Sequence, residues 1–176
     1  MADMSMVRRS SRLFVVLLAT VSFTFCVRAE DAAKPAGGDI KELKQVPAEL
    51  PHDVTLGLLN NAGKQAAAMK GTDVLRTKVE GRMATLKFKI DRIEKDDRHG
   101  QEEPYRIKAE DTHLREGGVA FKVYLWVHFN LTENAKVAAM KKGGEITATG
   151  KVTVAKVSVL NGNAQINVDI SDATVN

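Results

Sequence analysis

Eight side chains stand out as a group that could do chemistry: Lys87, Lys89, Arg106, Lys108, Lys122, Tyr124, Trp126 and His128. They fall at alternate positions in "RMATLKFKI" (82–90), "YRIKA" (105–109) and "VAFKVYLWVHF" (119–129). Alternation of period two marks strands, whose successive side chains point to opposite faces. Leu86, Phe88 and Ile90, then Tyr105, Ile107 and Ala109, then Phe121, Val123, Leu125, Val127 and Phe129 make the inner faces. The eight residues are the outer ones, with Lys151 at their flank. On such a face cations track a phosphate backbone while rings stack on bases, each stacked base contributing about 1–3 kcal/mol. Two blander expectations compete. Alternating lysines keep exposed strands soluble, and Tyr124 with Trp126 would pack equally well beneath a helix.

Catalytic and metal chemistry find less support. His52, His99, His113 and His128 include no pair at the i, i+4 spacing of a helical zinc motif. "DRIEKDDRHGQEE" gathers carboxylates but lacks the regular spacing and turn glycine of a calcium loop. Ser158 and Ser171 lie in strand patterns without a nucleophile elbow, and no glycine-rich phosphate loop occurs. The expectation is a protein that is not an enzyme and uses no metal or cofactor.

The first 29 residues read as a secretory signal. Arg8, Arg9 and Arg12 form a basic head, Leu13 to Val27 is an uncharged run of 15 residues, and Val27 and Ala29 occupy the small-residue positions of a cleavage site. The run is shorter than the roughly 20 residues of a spanning helix. Cleavage after Ala29 and a secreted or periplasmic location are therefore expected, with no stable membrane span. The segment carries four of the 26 basic and one of the 22 acidic residues, so the remainder holds 22 against 21. The basic balance belongs mostly to the leader and is no argument for a polyanionic partner. Cys26 leaves with it, so the exported chain has no disulfide or thiolate site.

Residues 30–52, with Pro35, Pro47, Pro51 and a glycine pair, read as a flexible tether. Residues 53–81 read as an N-terminal helical segment. Asp53 is its expected N-cap, Leu59, Ala62, Ala66 and Met69 are its buried stripe, and 71–81 is ambiguous. Residues 82–175 hold five strands, with a short helix between the third and fourth that Thr132 caps and Gly143 ends. The step from Ile90 to Ile93 in the first strand is the slip a β-bulge produces. Residues 110–118 are expected to be a loop, and Asn161-Gly162 marks a tight hairpin. The fourth strand sets Ile146, Ala148, Gly150, Val152 and Val154 on one side. A glycine on an apolar face suits a strand bent at a barrel corner. The expected fold class is all-β, a five-stranded β-barrel preceded by an N-terminal helix.

"AKVAAMKKGGEITATGKV" followed by "INVDISDATV" resembles the exported OB-fold domains related to the tRNA-anticodon-binding type. In these a helix ending L-K-K-G runs into a v-x-v-x-G-x-v strand, and the last strand closes on Asp-Ala or Asp-Cys. Here Met140 stands at the leucine position and Asp172-Ala173 supply the close. The resemblance spans 82–175 and implies an OB-like barrel with ligands on the outer face of strands two and three. Export disfavours nucleic acid. The expected function is a binding module for an oligonucleotide, oligosaccharide or envelope component. The alternative is a structural or protein-interaction protein of the envelope.

Overall fold

The computed structural model describes residues 38–95 and 104–176. The expected signal segment and residues 96–103, which include His99, lie outside the described residues. Three helices come first: α1 (Gln45–Ala48), α2 (His52–Leu59) and α3 (Lys64–Lys78). Strands β1 (Met83–Lys95), β2 (Tyr105–Ala109), β3 (Thr112–Glu116) and β4 (Val119–Phe129) follow. A 3-10 turn (Leu131–Glu133) leads into α4 (Asn134–Ala138), then β5 (Glu145–Leu160) and β6 (Asn163–Val175).

The strand pairings form a closed circuit. β1 pairs with β2 and β5, β2 with β4, β4 with β6, and β6 with β5, while β3 lies outside the circuit against β4. All pairings are antiparallel except β4 with β6. The core is the inner face of that circuit. Ile90, Ile107, Phe121, Leu125, Ile166 and Ile170 are almost completely buried there. No helix among the described residues is long and apolar enough to cross a membrane.

Two irregularities set which residues face out. The register of β1 shifts between Ile90 and Arg92, leaving Asp91 as the extra residue of a bulge. In β5 a shift between Val152 and Val154 moves the inward phase to Ala155 and Val157, so Val154 does not continue the inner row. Gly150 is required by a close backbone approach. A Cβ there would lie 2.6 Å from Ile170 Cγ2 and 2.7 Å from the Ser171 carbonyl. The β6 backbone comes this close where it bulges, with Asp172 at φ +54°.

Several expectations change. Residues 112–116 form β3 rather than a loop, because Gly117 and Gly118, both at positive φ, make a turn that folds them onto β4. The helical segment is two helices broken at 60–63, and that break resets the phase. Leu59 and Met69 are 52% and 66% exposed, whereas Val54, Leu58, Ala67, Ala68 and Leu75 are buried. Asp53 lies in the first turn of α2 and pairs with Lys70, and Pro51 takes the capping position. Gly57 admits Ala67, since a Cβ there would meet Ala67 Cβ at 2.7 Å. Thr132 makes no cap, and α4 is only five residues long.

The second half of the expected tether is packed. Ile40 bridges Ala84, and Ile40, Val46 and Leu50 join the core. Arg82 fixes this segment by donating to the Gly38 carbonyl at 2.7 Å and to Glu49 at 2.9 Å.

Candidate functional site

The outer face of β2, β4 and the far half of β1 carries the aromatic cluster. The register sets Arg92, Lys108, Trp126 and Asp169 side by side across β1, β2, β4 and β6. The neighbouring row is Glu94, Arg106 and His128. Trp126, partly buried, has the Arg106 guanidinium 4.9 Å and the Arg92 guanidinium 5.1 Å from its ring centroid. Tyr124 has Lys122 at 4.9 Å and Lys108 at 5.5 Å. Distances within about 6 Å are those of cation–π attraction.

Carboxylates hold these cations in place. Glu94 accepts from Arg106 at 2.6 Å and from Arg92 at 3.1 Å. Asp111 accepts from Lys108 and Lys122, each at 2.8 Å. Asp91, the bulged residue, accepts from Lys142 at 3.1 Å and Lys108 at 3.3 Å. Burial pushes the Asp111 carboxyl up, but hydrogen bonds from Lys108 and Lys122 outweigh it and hold the group below its usual range. Asp91 is lowered by its bonds from Lys142 and Lys108. Lys108 and Lys122 are raised, each chiefly by Asp111. Asp169 behaves oppositely. Burial raises its pKa against the opposing charges of His128, Lys156 and Arg106.

The sequence-derived group is thus gathered in part. Arg106, Lys108, Lys122, Tyr124, Trp126 and His128 share one surface. Lys87 and Lys89 lie before the bulge, on the stretch of β1 paired with β5, and reach the group only at its margin. Lys87 pairs there with Glu145 at 2.9 Å. The helix offered as an alternative cover for Trp126 packs elsewhere. Helix α3 packs on β5, where Gly71 meets Val157 and Thr72 Oγ1 donates to the Val157 carbonyl at 2.9 Å. Among the described residues, guanidinium groups rather than a helix lie against the indole.

Arg92, Asp91, Glu94 and Asp111 are the members missed in the sequence. The slip from Ile90 to Ile93 held the signal for two of them. Past a bulge the outward positions become 92 and 94, which places Arg92 and Glu94 beside β2. Among the described residues, no group of three or more His, Cys, Asp or Glu side chains is placed to hold a metal ion.

No family model matches the chain, and no curated protein matches it. Among solved structures, a small single-stranded DNA-binding protein from Streptomyces coelicolor is similar at 15% identity. The match covers 56% of this chain and 94% of that one, with a TM-score of 0.33.

Proposed function

We propose that this protein is an exported, non-enzymatic binding module on an OB-type barrel of the anticodon-binding kind. Its ligand, an oligonucleotide, an oligosaccharide or another envelope component, lies along the outer face of β2 and β4. Support for the barrel comes from the circuit β1-β2-β4-β6-β5, its parallel β4–β6 pair, and α4 between β4 and β5. The observation that carries the binding role is Trp126, an aromatic residue on the outer face of a central strand with cations rather than core against its ring. Support for export is the basic head, uncharged run and small-residue pair of the first 29 residues.

Trp126 is the chain's sole tryptophan, so its emission reports on this face alone. Titration with oligothymidylate and with neutral tetrasaccharides should shift the emission and slow quenching by acrylamide. No change with any probe would count against the binding role. N-terminal sequencing of the exported protein should begin within a few residues of Glu30. A chain beginning near Met1 and sedimenting with membranes would refute cleavage.

A second reading, an envelope interaction protein without a small-ligand site, is favoured by the carboxylates. Asp91, Glu94 and Asp111 occupy cations that a polyanion would need. A polyanion must displace them, whereas a neutral ligand need not.

A further inference from the structure

Beside Tyr124 the outer face opens into a cleft of about 380 Å³, between β4 and the tip of the β5–β6 hairpin. That volume lies within the roughly 300–1,000 Å³ of small-molecule sites. Its construction follows from register. His113 on β3, Lys122 on β4, Gln165 on β6 and Ser158 on β5 form one cross-strand row on the outer face. Tyr124 stands on one side of that row. On the other side β4 has only Ala120, which leaves the space open. The hairpin turn closes the end, with Asn161 at φ 50° and Gly162 at φ 78° presenting Asn161 and Asn163 toward the cleft.

The chemistry of this lining differs from that around Trp126. Its one lysine, Lys122, is already neutralised by Asp111 at 2.8 Å, and no carboxylate lines the cleft. Three amide side chains, Asn161, Asn163 and Gln165, line it with His113, and the Asn163 amide donates to the Asn161 carbonyl at 3.3 Å. Gln165 makes no side-chain hydrogen bond to another described residue. Each carboxamide both donates and accepts, as a hydroxyl does, whereas phosphate oxygens only accept. Tyr124 adds a flat surface with an apolar body and a polar tip. Amides that match hydroxyls, beside a ring that matches C–H groups, suit a sugar ring.

We propose that the cleft bounded by Tyr124, Gln165 and the 160–163 hairpin binds a neutral carbohydrate unit. This rests on the binding-module reading above and selects one ligand class within it. Neutral binding leaves the Asp111–Lys122 pair intact and releases few counterions, so affinity is nearly independent of salt.

The test is an NMR titration of the isotope-labelled protein at low and high salt. The probes are tetrasaccharides of β-1,4-glucose, α-1,4-glucose and β-1,4-N-acetylglucosamine, with oligothymidylate alongside. One tetrasaccharide should shift the backbone amides of 120–124 and 160–165 with the same affinity at both salts. Gln165→Ala should weaken it about tenfold, the loss of one good hydrogen bond. Ala120→Trp, which fills the cleft without removing a polar group, should abolish it and decides the matter if Gln165→Ala fails to fold. Tetrasaccharide binding indifferent to Ala120→Trp would overturn the site. Salt-dependent binding of oligothymidylate alone, lost in Trp126→Ala, would overturn the carbohydrate inference while leaving the binding module standing. Binding of no probe would overturn both.

Discussion

The Arg106 guanidinium stacks 4.9 Å from the Trp126 ring and is held there by Glu94 at 2.6 Å. The bulge at Asp91 makes this arrangement, because it turns Arg92 and Glu94 outward opposite β2. Among the described residues, Trp126 is therefore screened by charged side chains rather than by packed apolar surface. That distinction is measurable, since a guanidinium lid opens far more readily than a helix.

Arg106→Ala should increase acrylamide quenching of Trp126 while the fold persists, because Arg92 still covers the other contact. Each cation–π contact at a partly exposed site contributes about 0.5–1 kcal/mol. Trp126→Ala should lower the melting temperature modestly. A Trp126→Ala variant that fails to fold would show the indole to be part of the core.

The inner face should respond very differently. Leu125 is 2% exposed, one residue from Trp126 and on the opposite side of β4. Leu125→Ala should cost about 2–5 kcal/mol, the range for truncating a buried leucine. Lys122→Ala loses a partly exposed ion pair and should shift the midpoint far less. Thermal melts of the two variants compare them directly, and equal midpoints would mean the faces are reversed.

Local pattern carried the alternation of β4 and the slip in β1, because both are written in consecutive residues. The phase change in β5 was less legible. Thr153 and Val154 are both β-branched and suit either face, so the break between Val152 and Ala155 has no strong local mark. The helix stripe failed for a similar reason. Apolar residues at 54, 58 and 59 offer two phases, and the contact of Gly71 with Val157 on β5 selects one. Partners distant in sequence were beyond reach. Asp111 meets Lys122 only because Gly117 and Gly118 fold β3 back onto β4, and a residue read as loop gave no register from which to place it.

Gly150 provides a sharp test of the closing pair β5–β6. Its neighbours include the Ser171 carbonyl at 2.7 Å and Ala173 Cα at 3.0 Å, backbone atoms that cannot swing aside. Gly150→Ala should therefore destabilise by about 1–3 kcal/mol through overpacking. Gly143→Ala meets no steric neighbour but must hold φ +81°. Its cost is expected to be backbone strain of about 1–2 kcal/mol. Urea melts should show both losses. Hydrogen exchange should separate them, with Gly150→Ala loosening the amides of 170–173 and Gly143→Ala leaving them protected.

Two outer-face carboxylates should pull the pH dependence of stability in opposite directions. Asp111 has a folded pKa below its unfolded value, because the bonds from Lys108 and Lys122 outweigh burial. Its stabilising contribution is present above the unfolded pKa and disappears as pH falls through the lower folded one. Asp169 has a folded pKa above its unfolded value, because burial penalises the charged form. Ionising it in the fold is unfavourable, and that penalty is complete once pH exceeds the folded pKa. Asp111→Asn should thus destabilise at neutral pH and flatten the acid limb of the stability curve. Asp169→Asn should stabilise at neutral pH, and its advantage should vanish below the usual aspartate range, where both states are protonated. Denaturation midpoints measured from acid to neutral pH for the two variants will show whether the signs differ. Two curves that move together would mean that Asp111 is not held by its lysines in solution or that Asp169 is hydrated.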